Sequence, residues 1–200
     1  LIKNSSFNSS KIQELLIKNN EVIISKNKKY RAILVDIWKT MSKENIIDLS
    51  SHNFKTKTTS LTYGCTDPCT IVHMSKYLDT IYVSGWQTAS LSATDNVVGP
   101  DFADYPHDSV PKLVSRLFKA QMFHSTKYGK DIMSPIIADA DTGHGGITSM
   151  MRMTHNFIES GVAGIHIEDQ RHGVKKCGHM GGKVLVPTGT MIKNLKAARL

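Results

Sequence analysis

Asp139, Asp141, Glu168 and Asp169 are followed at Cys177 by a thiol set among Lys175, Lys176 and His179. Asp139 closes a short apolar run from Pro135 to Ala138, and Glu168 with Asp169 closes a second from Val162 to Ile167. Carboxylates gathered at strand ends repel one another unless a cation or a proton offsets them. An all-oxygen set suits Mg²⁺, which keeps several waters and binds through one or two carboxylates. A thiol among cations gives up its proton more readily, because positive charge favours the thiolate. Each feature also has an ordinary counterpart: Asp141 and Asp169 could cap helices or pair with lysines, and free cysteines are mostly small, inert core residues. Asp139, at a strand end before the flexible Gly143-His144-Gly145-Gly146 turn, favours a site, and the polarity around Cys177 favours a reactive thiol over a core one.

Other residues support the same centre less directly. Gly178, Gly181 and Gly182 let the loop after Cys177 move and let backbone N–H groups approach an anion, as a lid closing over substrate requires. Ser84-Gly85-Trp86 ends another β-branched run; Trp86 alone reads more readily as core than as a ligand contact. Asp101 lies in a long loop that ends at Pro106, where a lone aspartate ordinarily forms a turn. His144 is open between metal ligand, proton donor and turn residue, whereas His73, His107, His124 and His155 carry no chemical signal.

The elements that must position these groups alternate. Leu61 to Tyr63 and Thr80 to Ser84 read as strands, joined by a helix that starts with an acid and a proline at Asp67-Pro68. Val110, Leu113, Val114, Leu117, Phe118 and Met122 recur at helical spacing after a start at Asp108 or Ser109. The strand into Asp139 is followed by a helix with Ile147, Met150, Met151, Thr154 and Ile158 on one side and Gly161 just past its end. Val184 to Val186 is a short apolar run, and a last helix carries Met191, Ile192 and Leu195. Asp139 and Glu168 are separated by roughly 30 residues, the length of one βαβ unit, which predicts a parallel sheet. Parallel strands would bring Ser84, Asp139 and Glu168 to one rim, as in an α/β (β/α)8 barrel. Residues 1 to 58 read as a helical segment outside that domain, with a capping box at Ser10 and Gln13 and a second helical stretch from Ala32 to Met41. The domain proper is placed at 59 to 200.

Composition narrows the function. With 200 residues, 40% hydrophobic and 21% charged, the chain is of globular type, and no apolar run approaches the ~20 residues needed to span a bilayer. The net charge of +8 comes from scattered lysines, with no zinc-finger spacing or RNA-binding aromatic motif, so a solvated basic surface or an anionic substrate accounts for it better than nucleic acid does. Cys65, Cys69 and Cys177 form no even disulfide framework, which points to a reducing compartment, and Cys65 with Cys69 lacks the second ligand pair of a zinc site. The start at Leu1 without a Met, the helix still running at Leu200 and the strand count, about half of a barrel needing roughly 250 residues, predict a fragment cut at both ends.

Taken together, Lys175-Lys176-Cys177-Gly178-His179, Ser84-Gly85-Trp86, Gly99-Pro100-Asp101, the run from Asp139 to Gly146 and His166-Ile167-Glu168-Asp169-Gln170 resemble the isocitrate lyase family, in order, from about Tyr63 to Leu200. His144 looks more like the eukaryotic branch. The resemblance implies a barrel of the phosphoenolpyruvate mutase/isocitrate lyase kind, of which this is the N-terminal part. It implies an Mg²⁺-dependent carbon–carbon lyase splitting isocitrate into glyoxylate and succinate in the glyoxylate bypass of the tricarboxylic acid cycle. In that family's pattern Cys177 takes the acid/base position and Asp139 the direct metal ligand, while Asp101, Asp141 and Glu168 hold metal-bound waters. Ser84, Gly85, Trp86, Gly178 and His179 contact substrate. A homotetramer in the peroxisome, glyoxysome or cytoplasm is implied, with the mitochondrial matrix as an alternative. The nearest rival is 2-methylisocitrate lyase, which more often shows Arg where this chain has Lys176; a non-catalytic barrel relative and a basic nucleic-acid-binding module stand further off. Arg171-His172-Gly173-Val174 departs from the family's usual lead into the Lys-Lys-Cys-Gly-His run, and the link from Lys127 to Ser134 is shorter than the eukaryotic pattern.

Overall fold

The computed structural model describes residues 59–94, 101–129 and 132–200. The helices expected within residues 1 to 58 lie outside the described residues. Four strands, β1 (Thr62–Gly64), β2 (Thr80–Val83), β3 (Ile136–Asp139) and β4 (Gly164–His166), form one parallel sheet in the order 1-2-3-4. Sequential order with a helical crossover between neighbours is the arrangement of an arc of a (β/α) barrel; a doubly wound sheet would reverse direction partway. The register pairs Val83 with Ala138 and Asp139 with His166, so the C-terminal ends of β2, β3 and β4 come out on one rim.

Helices cover one face. Helix α1 (Pro68–Met74) begins where Asp67 accepts a 2.8 Å bond from the Thr70 amide, with Pro68 supplying a preset φ at the first turn. Helix α3 (Ser109–Tyr128) turns Val110, Leu113, Val114, Leu117, Gln121 and Ser125 inward and stops at Gly129. Ile81, Val83, Ile136 and Ala138 alternate along β2 and β3 and meet this stripe together with Ile71, Met150, Met153 and Phe157. Each large apolar side chain so buried stabilises the fold by about 1.5–3 kcal/mol. Tyr82, Ile137 and Asp139 point to the opposite face, where they are only half-buried.

Two expectations need correction. Helix α4 (Ile147–Ser160) buries Met150, Met153, Phe157 and Ser160, a stripe rotated from the one the sequence suggested. Ile147 and Met151 are exposed, because the helix is methionine- and isoleucine-rich on two adjacent faces and packing against α3 chooses between them. The stop at Gly161 holds, with φ 91°; a Cβ there would also lie 2.5 Å from the Phe118 ring, so only glycine fits. Secondly, the supposed loop after Ser84 starts with a helix, α2 (Gly85–Ser92), capped by the Ser84 hydroxyl at 3.3 Å from the Gln87 amide. Trp86 on it is 53% exposed and therefore not core.

Between β4 and the last helix, α5 (Thr188–Arg199), the chain makes an excursion closed at its base. Arg171 N donates to Val184 O at 2.7 Å, Val186 N to Asp169 O at 2.9 Å, and Gln170 bridges Leu185 in antiparallel fashion. The apolar run Val184 to Val186 thus serves as one side of a neck, and Cys177 rides in the loop above it. Among the described residues no helix is long and apolar enough to cross a membrane.

Candidate active site

The rim is built around Asp139. As the last residue of β3 it is aimed off the sheet, and its Oδ2 accepts from the Gly85 amide at 3.3 Å and from the Tyr82 hydroxyl at 3.4 Å, while its Oδ1 accepts from the Asp141 amide at 2.9 Å. Gly85 is required here: a Cβ would sit 2.8 Å from Asp141 Oδ2 and 3.0 Å from Asp139 Oδ2. The turn after β3 carries two non-glycine residues in the left-handed region, Asp141 (φ 47°) and His144 (φ 53°). Such conformations cost of order 1 kcal/mol each and concentrate at functional sites.

Asp141 is fully buried, and its Oδ2 accepts a very short bond from the Tyr105 hydroxyl. Its Oδ1 lies 2.7 Å from Lys175 Nζ in ionic contact but receives no directed hydrogen bond. The same ammonium lies 2.6 Å from Asp101 Oδ1 and 3.5 Å from Glu168 Oε1. One positive charge therefore faces three carboxylates drawn from the loop before α3, the turn after β3 and the end of β4. Burial, countered in part by Lys175 and reinforced by Asp101 and Glu168, pushes the Asp141 carboxyl up. Burial alone would push Lys175 down, but its bond to Asp101 and its ionic contact with Asp141 outweigh that, and it is held charged.

Around this cluster the sequence missed two groups, Tyr82 and Tyr105, and left the role of a third, His144, open. Tyr82 donates towards Asp139 and its hydroxyl is 2.7 Å from His166 Nε2, with the two rings stacked; burial and then Asp139 push its phenol up, so it acts as a donor rather than as a base. The signal available was position: Tyr82 is two residues before Ser84 and on the same face of the sheet. Tyr105 was read only as part of a loop. His144 packs on Tyr105 and His172, 3.8 Å from Asp141 Oδ2; burial, then His172 and His107, lower it to about 4, which makes it a neutral imidazole.

Of the residues singled out in the sequence, Ser84, Gly85, Asp101, Asp139, Asp141 and Glu168 come together on the rim. Ser84 faces it as the cap of α2, not as a strand end, and Trp86 stands exposed beside it. Asp169 is exposed and spends its carbonyl on the neck. Cys177 is half-buried, with Gly178 and His179 exposed next to it. Its loop is tied to the rim through Gln170, which donates to Glu168 Oε2 (2.9 Å) and Lys176 O (2.9 Å) and accepts from Lys176 N (3.0 Å). The Lys175 ammonium, which the sequence set beside the thiol, is committed to carboxylates. Cys65 is the contrast: fully buried, with its thiol pushed up to about 11 by burial and by Asp67, it is a core residue.

Carboxylate oxygen is the donor type a hard divalent ion prefers. All the rim acids offer oxygen, and Asp141 Oδ1 is a buried acceptor without a directed donor. As they stand, no three of the described Asp, Glu, His or Cys residues are arranged to hold an ion, because the Lys175 ammonium lies where three carboxylates converge.

Comparison with known proteins places this geometry. Residues 20–200 match the model of the isocitrate lyase family. The chain is 45% identical over 174 residues to isocitrate lyase of Kluyveromyces lactis, covering 80% of this chain and 32% of that protein. It is 44% identical over 154 residues to the mitochondrial 2-methylisocitrate lyase of Hypocrea atroviridis, covering 69% and 28%. Among solved structures, 2,3-dimethylmalate lyase, described as a member of the PEP mutase/isocitrate lyase superfamily, superposes with a TM-score of 0.54 at 32% identity over 69% of this chain and 41% of that one. The chain thus spans about a third of the length of the curated relatives it matches. A parallel α/β arc with acids on its C-terminal rim, matched along nine-tenths of its length by one family model, makes this chain a member of the isocitrate lyase family.

Proposed function

We propose that this chain forms part of an Mg²⁺-dependent carbon–carbon lyase that splits isocitrate into glyoxylate and succinate. The observation that carries the reading is the crowding of Asp101, Asp139, Asp141 and Glu168 on one rim, next to a tethered loop bearing Cys177. In this reading Asp139 would hold the metal directly, and Asp101, Asp141 and Glu168 would hold it through waters. These acids would thereby give the site a Lewis acid for the hydroxy-acid end of the substrate when Mg²⁺ is bound.

The residues of the chain do the rest. A general base takes the proton of the C2 hydroxyl, the C2–C3 bond breaks, C2 becomes the carbonyl of glyoxylate, and the electron pair goes to C3 and its carboxylate. Cys177 Sγ delivers a proton to C3, giving succinate and a thiolate; in the reverse direction the thiolate takes that proton back. Ser84, Gly85 and Trp86 on one side, and Gly178 and His179 on the other, contact substrate and steady its carboxylates through N–H and O–H donors.

Turnover of the full-length enzyme tests this. Cys177→Ser is expected to lower kcat by about 10³-fold while leaving Mg²⁺–substrate binding largely intact; near-normal turnover in that variant overturns the assignment. A second reading is 2-methylisocitrate lyase, giving pyruvate and succinate, favoured by the 44% identity to the Hypocrea protein. Parallel assays with both substrates decide, and Lys176 favours isocitrate. A homotetramer acting in the glyoxylate bypass, in peroxisome, glyoxysome or cytoplasm, or in mitochondria if the second reading holds, completes the proposal.

A further inference from the structure

The segment that leads into α3 forms a second wall of the rim. From Asp101 to Tyr105 burial alternates: Asp101, Ala103 and Tyr105 are turned inward, and Phe102 and Asp104 outward. Two inward polar groups thus address the acid cluster from one short stretch of chain. Asp101 Oδ1 accepts from Lys175 Nζ at 2.6 Å, and the Tyr105 hydroxyl donates to Asp141 Oδ2. Between them Ala103 sits at φ 55°, in the left-handed region, where an L side chain crowds its own backbone. The hold on this shape comes from outside the rim. Just past the end of α2, Thr94 gives both its amide (2.9 Å) and its hydroxyl (2.6 Å) to the Asp104 carbonyl oxygen. We propose that Thr94 is a positioning residue: by fixing the Asp104 carbonyl it aims the Tyr105 hydroxyl at Asp141 and so sets the orientation of that carboxylate.

The link from Thr94 to Tyr105 is short. The Asp104 carbonyl and the Tyr105 nitrogen belong to one planar peptide unit, so two donors on that oxygen set the plane from which the Tyr105 side chain departs. Without them the turn at Ala103 would relax, since a non-glycine residue at positive φ costs about 1 kcal/mol and persists only where its surroundings impose it. Asp141 needs the aim. Its Oδ1 is in ionic contact with Lys175 without a directed bond, whereas its Oδ2 is held by the Tyr105 hydroxyl. An ammonium on a flexible stem fixes a distance; a hydroxyl with a defined direction also fixes the rotation of the carboxylate. Helix α2 makes no claim on the Thr94 donors, because it already ends at Ala93, which is extended at ψ 142°. Thr94 itself is exposed, and its hydroxyl is spent on Asp104. The inference rests on the lyase reading only for its kinetic test.

In the full-length enzyme, Tyr105→Phe is expected to lower kcat about tenfold and the isosteric Thr94→Val about fivefold, each with KM within about twofold of normal. Thr94→Ser, which keeps the hydroxyl, returns kcat to within about twofold of the wild type. The double variant Thr94→Val/Tyr105→Phe is no slower than Tyr105→Phe alone, because Thr94 acts through that phenol; a general loss of packing would multiply the two effects instead. A readout free of turnover is the Cζ resonance of Tyr105 in carbon NMR of tyrosine-labelled enzyme, identified by its absence in Tyr105→Phe. In Thr94→Val it moves upfield, as a phenol carbon does on losing a carboxylate acceptor, and in Thr94→Ser it stays in place. Multiplied effects in the double variant, or a Thr94→Val enzyme as fast as the wild type, overturn the proposal, and so does a Tyr105 resonance that Thr94→Val leaves unmoved. A shifted resonance in a protein that turns over neither isocitrate nor 2-methylisocitrate keeps this inference and removes the lyase reading. Turnover with an unmoved resonance does the opposite.

Discussion

The two ends of the sheet handle buried polarity in opposite ways. At the N-terminal end of β3, Ser134 donates its amide to Gln121 Oε1 (2.7 Å), accepts from Gln121 Nε2 at its carbonyl (3.3 Å), and gives its hydroxyl to Ser75 O (3.0 Å). Every group there is neutral and paired. At the C-terminal end, one lysine faces three carboxylates, two residues sit at positive φ, and a carboxylate oxygen lacks a directed donor. A neutral, satisfied network costs little and pins α3 to β3. A charged, incompletely satisfied one is costly, and its cost is offset by the packing elsewhere. The difference assigns stability to one end and chemistry to the other, as barrels of this kind divide them.

That division can be broken at several points. The largest effect is expected at Asp139→Ala: kcat/KM of the full-length enzyme falls by about 10³-fold, while Tm falls only modestly, through the Gly85 and Asp141 amides that lose their acceptor. A fall in Tm with activity kept would reverse the assignment. His144 sharpens the contrast through pH. Its imidazole is lowered to about 4 in the fold and titrates near 6.5 unfolded, so between those values the unfolded chain binds a proton the folded one does not. Stability is therefore full above pH 6.5 and is lost as pH falls towards 4, by about 3 kcal/mol. Denaturant melts at pH 7 and pH 4.5 read the loss, and His144→Gln is expected to flatten the difference between them. Smallest is Gln121→Leu, which strands the amide and carbonyl of Ser134 and costs about 2 kcal/mol in urea unfolding, with turnover within about twofold of normal. A large drop in turnover would show that the two ends are not separable.

How far the sequence reached follows from the range of each signal. Local rules worked: Asp67-Pro68 starts a helix, Gly161 stops one, and Asp139 ends a strand. Helix α2 escaped because its buried residues, Gly85, Thr88 and Ala89, are too small to draw an apolar stripe, while Trp86 and Leu91 point outward. The buried side of α4 escaped because two faces were apolar enough. Lys175 was placed by its neighbour Cys177, yet its partner Asp101 is 74 positions away, a contact that no local pattern encodes. The identities of the acids were legible; the cation lodged among them was not.

The paired backbone bonds at Asp169–Val186 and Arg171–Val184 have an evolutionary corollary. They isolate whatever lies between from the strand before and the helix after. Extra or altered residues at Arg171 to Val174 can be taken up there without shifting the alignment of β4 or α5. Sequence drift in the thiol segment is thereby decoupled from the scaffold beneath it.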